Sequence, residues 1–240
     1  MPRDPPRRTG IVVAIEGGSG VGKTELVEEL ARRLGWTAIP EASDLGGRRP
    51  SLRFRSDAEL ARLESALLIR ERARWRRAAR ERAQGRSTLL DTGPFGPLTY
   101  TRGLVEIGAA GPKVLSGLVA RGRKALLRRA LGVPDLVLYL DAPEATLRRR
   151  AARSPADHPP KLTERHHRVG RIERRLWRES FAPRFPGRWI RIDADRPAAS
   201  VRRSAERAIR RAQPRRRPGP APLLRWLEEI GRTPGETGNR

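Results

Sequence analysis

Short apolar runs alternate with amphipathic stretches along most of this chain. Residues 11–15 (Ile-Val-Val-Ala-Ile) form an unbroken, largely β-branched run, the pattern of a strand buried on both faces. Residues 25–34 then carry apolar side chains at helical spacing and stop at Gly35. Residues 36–39 predict a second strand ending at Pro40-Glu41, and residues 42–56 a polar loop with Gly46-Gly47 and Arg53. A long helix is expected from about Asp57, whose side chain can cap it, to about Gln84, with Gly85 closing it. Leu60, Leu63, Leu67 and Leu68 mark its apolar stripe. Thr88-Leu89-Leu90 reads as a third strand ending in Asp91, and Pro94-Phe95-Gly96-Pro97 as a rigid turn. Residues 98–131 predict one or two helices broken around Gly111-Pro112, residues 135–141 a fourth strand, and Pro143 the start of a further helix. A basic helix over 161–180, a last strand over 189–192 and a helix over 197–212 complete the pattern.

Strands alternating with helices imply an α/β fold: a parallel sheet with helices on both faces, three layers in all. Ligands of such sheets sit beyond the carboxyl ends of the strands, where Glu41, Asp91 and the region after Asp141 all fall. Residues 1–9 read as a basic, proline-broken tail, 10–213 as the domain, with a helical lid at about 143–180, and 214–240 as a Pro/Arg-rich linker with a short helix. In that last helix Leu223, Leu227 and Ile230 share a stripe, with Trp226 nearby. Packing on the chain's own domain is the first expectation for it; docking to a partner stays open.

Charge changes the picture. The 240 residues carry 52 Lys and Arg against 27 Asp and Glu, a formal net charge of +25. Arginine is spread through every predicted helix, which fits either affinity for polyanions or solvated helix faces. Aromatic residues for base stacking are few and scattered, so a dedicated nucleic-acid function is disfavoured. There is no cysteine, hence no disulfide framework and no Cys-based metal site. His158, His166 and His167 do not make a metal cluster either: the last two are adjacent and no acid is arranged with them. No 18-residue apolar run and no secretory signal are present, and a cytoplasmic setting with no membrane contact is expected.

Candidate chemistry begins directly after the first strand. Gly17-Gly18-Ser19-Gly20-Val21-Gly22-Lys23-Thr24 has four residues between Gly17 and Gly22, then Lys and Thr: the phosphate-binding loop of P-loop NTPases. Strand before and helix after are the arrangement in which backbone N–H groups and a helix N-terminus surround a polyphosphate. ATP and Mg²⁺ are therefore the expected cofactors, with Lys23 reaching the β- and γ-phosphates and Thr24 ligating the metal. Asp91, at the end of a buried strand, is costly without a partner and would find one near Mg²⁺ or its waters.

These segments together resemble the thymidylate kinase and deoxynucleoside kinase group. Ile15-Glu16-Gly17 resembles the family's opening, and residues 85–91 the run that carries its Asp. Pro134-Asp135-Leu136-Val137-Leu138-Tyr139-Leu140-Asp141, Pro143-Glu144 and the spaced Leu147, Arg149 and Arg153 resemble its strand and arginine-bearing lid. Arg171-Ile172-Glu173 and Ile192-Asp193-Ala194 are similar to shorter motifs further on. The resemblance covers about residues 10–212 and implies a nucleotide or nucleoside kinase, often dimeric. It further implies Glu41 as the base for an attacking hydroxyl, or as a positioning group if the acceptor is a phosphate. Arg149 and Arg153, four apart on one helix face, become lid cations for the migrating phosphoryl group, and Arg171 a lid residue that binds substrate. Arg70 matches the family's arginine in the long helix and, with Arg53, is a candidate for acceptor binding.

The chain departs from the family at Thr92, where an Arg commonly follows the Asp, and at Gly46-Gly47, displaced from Pro40-Glu41. An acceptor other than thymidylate is expected on that ground. The alternatives are a P-loop ATPase or switch associated with nucleic acid, and a kinase of another small metabolite. If nucleic acid binds at all, binding should be weak, indifferent to sequence and lost steeply with added salt, because counterion release would drive it. A salt titration of DNA and RNA binding checks this; a tight, sequence-selective complex at physiological ionic strength would promote the nucleic-acid alternative.

Overall fold

The computed structural model describes residues 9–45, 53–153 and 160–232. Gly46-Gly47 and His158 lie outside the described residues. β1 (Val12–Gly17) is the central strand, buried from Val12 to Glu16. α1 (Lys23–Leu34) starts from Gly22 in the left-handed conformation (φ 95°) and buries Leu26, Val27, Leu30 and Ala31. β2 (Thr37–Ile39) precedes the long α2 (Asp57–Ala83). The cap of α2 is Ser56 rather than Asp57: the Ser56 hydroxyl accepts from the Glu59 N–H at 3.2 Å. Ser56 has the extended backbone an N-cap requires, whereas Asp57 is already helical. The Asp57 carboxylate instead accepts the Gly111 N–H at 3.1 Å, ahead of another helix.

β3 (Thr88–Asp91) is followed by α3 (Gly96–Glu106) and α4 (Pro112–Leu127). The break between these helices falls at left-handed Gly108 and at Pro112, whose missing N–H suits the first helical position. β4 (Leu136–Asp141) and α5 (Glu144–Ala152) come next. α6 (Pro160–Arg175) runs into a π-helical turn, Leu176–Phe181, and the short α7 (Ala182–Arg184). β5 (Trp189–Asp193), α8 (Ala198–Arg211) and α9 (Pro220–Gly231) finish the described chain.

All five strands are parallel, in the order β2-β3-β1-β4-β5. Because successive side chains alternate, β1 feeds two cores. Val13 and Ile15 face α1 and α8 in one, with Leu138, Leu140, Val201 and Ala205. Val12 and Ala14 face the other, with Leu60, Leu68 and Trp75 of α2 and Leu115 and Leu118 of α4. The expected α/β architecture, helices on both faces of a parallel sheet, is the one observed.

The C-terminal helix belongs to the second core. Trp226, Leu227 and Ile230 of α9 are fully buried, and the Trp226 ring stands edge-on to Phe95 at 4.9 Å and near Phe181 at 5.1 Å. Composition alone reads the Pro/Arg stretch before α9 as linker, yet it is pinned. The Arg215 N–H donates to the Asp135 carboxylate at 3.0 Å, and Arg188 donates to the Arg216 carbonyl at 2.6 Å. An extended Pro/Arg segment has no internal bonds to make, so its backbone groups are free for side chains of the domain. Trp226→Ala should therefore cost about 3–5 kcal/mol of stability by chemical denaturation, since it empties a site shared by three aromatic neighbours. A change under about 1 kcal/mol would mean that α9 does not pack as described.

Candidate active site

Strand pairing brings the chemistry to one sheet edge. Ile15 of β1 lies beside Asp91 of β3, so the phosphate loop leaves the sheet next to a buried carboxylate. Gly17 has φ 142°, and a Cβ there would meet the Leu140 carbonyl at 2.5 Å, so the loop's first glycine is required by both conformation and space. Lys23 lies across the loop, its Nζ donating to the carbonyls of Gly17 at 3.0 Å and Gly18 at 3.2 Å. The Thr24 hydroxyl donates to Asp91 Oδ2 at 2.7 Å, while Asp91 Oδ1 is buried with no hydrogen-bond partner. A hydroxyl and an incompletely satisfied carboxylate are hard oxygen donors of the kind Mg²⁺ takes, so the residues present fit that ion.

The backbone after Asp91 is strained. Thr92 has φ 62°, an outlier for a β-branched residue and a cost of about 1–3 kcal/mol. It is held there by Arg74 of α2, whose buried guanidinium donates to the carbonyls of Ile39 (3.4 Å), Asp91 and Thr92 (3.1 Å) and pairs with Glu71 at 2.6 Å. Arg74 thus supplies, from another element, a guanidinium close to where residue 92 lacks one, but backbone carbonyls and Glu71 already occupy it. Gly93 follows because a Cβ would strike Glu16 Oε1 at 2.5 Å; its N–H donates to that oxygen at 2.7 Å.

A cavity of about 1080 Å³ joins these parts, large enough for a nucleotide and a second small molecule. Its walls include the phosphate loop, Glu41, Thr92 and, from α2, α3 and α6, Glu64, Glu71, Tyr100 and Glu173. Glu41 is partly buried, and burial pushes its carboxyl above the usual range, with Lys23 pulling the other way. Glu16 is pushed up to about 8 by burial, against the Gly93 hydrogen bond. Glu64, 1% exposed, also rises to about 8 through burial, with Glu173 adding to it. Burial raises Glu173 to about 7, opposed by the Thr99 hydroxyl that donates to it at 2.9 Å. Burial lifts Glu71 as well, and Arg74 opposes it.

Not every expected residue reaches the cavity. Lys23, Thr24 and Glu41 line it, and Asp91 meets it through Thr24. Arg70 donates to the carbonyls of Ala42 (3.2 Å) and Ser43 (3.5 Å), supporting the loop after Glu41, and is not among the lining residues. Arg53 is exposed. Arg149 on α5 and Arg153 just past its end are exposed, and Arg149 donates to Thr146 at 3.1 Å. Their neighbour Arg150 lines the cavity instead, bonded to the carbonyls of Val21 (3.1 Å) and Ala194 (2.8 Å). Buried Thr146, Leu147 and Ala151 set the phase of α5 and turn Arg150 inward. Arg171 is exposed and paired with Glu144. Among the described residues no group of three or more His, Cys, Asp or Glu could hold a metal.

Sequence reasoning missed Glu64, Glu71, Arg74 and Arg150. A signal existed on α2: Leu60, Glu64, Leu67, Leu68, Glu71, Trp75 and Ala78 repeat at helical spacing and are all buried. Two acids on an apolar stripe are the kind of buried polar group that marks a site.

Comparison with known proteins follows the same lines. The AAA domain family profile matches residues 12–176. A cytidylate kinase of Citrifermentans bemidjiense is 35% identical over 130 residues, 46% of this chain and 55% of that protein. The chain thus spans about half the length of that curated relative. A deoxyadenosine kinase from M. mycoides with bound dATP superposes with TM-score 0.59 at 13% identity, covering 83% of this chain and 100% of that one. A thymidylate kinase from Candida albicans gives 0.62 at 14%, covering 84% and 92%. At those identities the structures speak to the fold, which is that of P-loop kinases.

The raised carboxyls set a pH dependence. Glu16 and Glu64 hold protons in the folded state up to about pH 8 that the unfolded chain has released above about 4.5. The folded state binds more protons in that window, so stability should fall as pH rises from about 5 to 8. Glu64→Gln should flatten the slope by up to about 1.4 kcal/mol per pH unit in denaturation measured across that range. An unchanged slope would show that Glu64 is ionised in the free protein.

Proposed function

The chain belongs to the AAA domain family, and on that premise we propose that it is an ATP- and Mg²⁺-dependent kinase of a small nucleoside-like or nucleotide acceptor. The observation that carries the proposal is one cavity lined by both the phosphate loop and Glu41, with room for donor and acceptor together. The cytidylate kinase relative supports the same class of reaction. An acceptor space beside the phosphate loop favours a kinase over a nucleotide switch, which works through segments that order and release.

In this reading the loop N–H groups and Lys23 bind the β- and γ-phosphates of ATP, and Arg150 braces the loop at Val21. Thr24 and Asp91 would hold Mg²⁺, whose contribution when bound is to neutralise charge on the phosphate oxygens. Glu41 accepts the proton of the acceptor hydroxyl; burial raises its basicity for that task. The hydroxyl oxygen forms a bond to the γ-phosphorus as the bond to the β-γ bridging oxygen breaks, and ADP leaves with that electron pair. Closure of α5 and α6, with Arg149, Arg153 and Arg171 as charged groups, belongs to the same proposal, as do Arg53 and Arg70 near the acceptor. So do a cytoplasmic setting and a homodimer; among the described residues no helix is long and apolar enough to cross a membrane.

Lys23→Ala should lower ATP-dependent transfer about a hundredfold or more while leaving the melting temperature nearly unchanged, because the described hydrogen bonds of this side chain go to its own loop. Glu41→Gln should lower kcat by about 10²–10⁴ with little change in KM for ATP. Substantial turnover by folded Lys23→Ala would sink the kinase reading.

A further inference from the structure

The cavity divides by charge. Every Lys or Arg among its described lining residues (Lys23, Arg150, Arg196 and Arg202) comes from α1, α5 or the β5–α8 side, around the phosphate loop. α2, α3 and α6 contribute Glu64, Glu71, Tyr100, His166 and Glu173 as polar lining residues, and no described Lys or Arg. In a chain of net charge +25, that side of the cavity is acidic.

Two of these carboxyls are answered from within the protein, Glu71 by Arg74 and Glu173 by the Thr99 hydroxyl. Glu64 is not. It is 1% exposed, lines the cavity, and neither of its carboxyl oxygens has a hydrogen-bond partner. A polar group so buried and so unmatched is costly unless a ligand completes it. In the free protein burial keeps Glu64 protonated, and a neutral hydroxyl would supply a hydrogen bond but leave it so. A positive centre lets Glu64 ionise and pairs the resulting charge, with its proton released to solvent. Tyr100 and Trp177 also line the cavity, so the region is aromatic as well as acidic. A monophosphate there would meet Glu64 and Glu173, with His166 but no Lys or Arg in the described lining of that side; Arg165 nearby lies over the Phe54 ring.

We propose that the acceptor is a nucleoside-sized alcohol carrying a positive charge, its cationic group against Glu64 and Glu173 and its hydroxyl toward Glu41. This rests on the kinase reading above and narrows its substrate class.

The test uses the full chain with ATP and Mg²⁺ and three probes: 1-methyladenosine, cationic at neutral pH; adenosine, its uncharged counterpart; and cytidine monophosphate. Binding is read by calorimetry and transfer by ADP release. The cation should bind about tenfold or more tighter than adenosine, with the monophosphate weakest. Glu64→Gln, isosteric and checked for folding by thermal melting, should reduce the preference to about threefold or less; Glu173→Gln should erode it independently. Preference for adenosine or the monophosphate, no binding by any probe, or a cation preference untouched by both variants overturns the inference. Transfer to adenosine or cytidine monophosphate in that event still upholds the kinase reading. Binding of 1-methyladenosine through Glu64 with no transfer from ATP to any probe would instead leave the cation site standing and sink the kinase.

Discussion

Arg74 brings a permanent positive charge into the interior, and much of the site depends on how that charge is answered. The residue is 2% exposed, and a guanidinium so placed must be paired and hydrogen-bonded to be tolerated. It meets Glu71 on its own helix and the carbonyls of Ile39, Asp91 and Thr92 at the ends of β2 and β3. One side chain thereby ties the long α2 to two strand ends and holds Thr92 at positive φ. Asp91 is fixed where Thr24 can reach it, and Gly93 where its N–H meets Glu16. Removing the charge would strand Glu71 and release three carbonyls together, so site geometry and stability are coupled through it.

A second buried hub lies at the other end of the sheet. Asp135 accepts the Val12 N–H at 2.9 Å, the Arg82 guanidinium at 3.0 Å and the Arg215 N–H at 3.0 Å. It anchors the start of β1 and the stretch leading to α9. The two hubs hold α2 at points about two helical turns apart, Arg74 and Arg82. Between them Trp75 and Ala78 pack against the sheet. The helix that carries Glu64 and Glu71 into the cavity is therefore held along its length by charge as well as by apolar packing.

The large positive charge has little to do with the cavity's character. Many arginines form exposed pairs along their own helices or between neighbours, such as Arg32 with Glu29 and Arg123 with Glu228. Such pairs contribute little to stability, about 0–1 kcal/mol each. Inside the cavity the balance reverses, because the buried groups there are mostly acids whose protonated form burial favours. Surface composition and site chemistry are separate properties of this chain.

The sequence by itself determined the parallel α/β architecture, the phosphate loop, and the placing of Glu41 and Asp91 at the carboxyl edge of the sheet. Those properties are local: strand and helix periods, glycine spacing, and the rule that buried strands end where loops can gather ligands. Only the tertiary structure decided that Ser56 rather than Asp57 caps α2, because that depends on which residue keeps extended backbone at the helix start. It also decided that Arg150, not Arg149 or Arg153, faces the phosphate loop, since the phase of α5 is set by what Leu147 and Ala151 pack against. Arg74 filling the space beside Thr92 and α9 closing the core below Phe95 are contacts between residues far apart in the chain. So is the burial of Glu64 with no hydrogen-bond partner for either carboxyl oxygen. Nothing in local spacing encodes which distant groups meet; folding of the whole domain does.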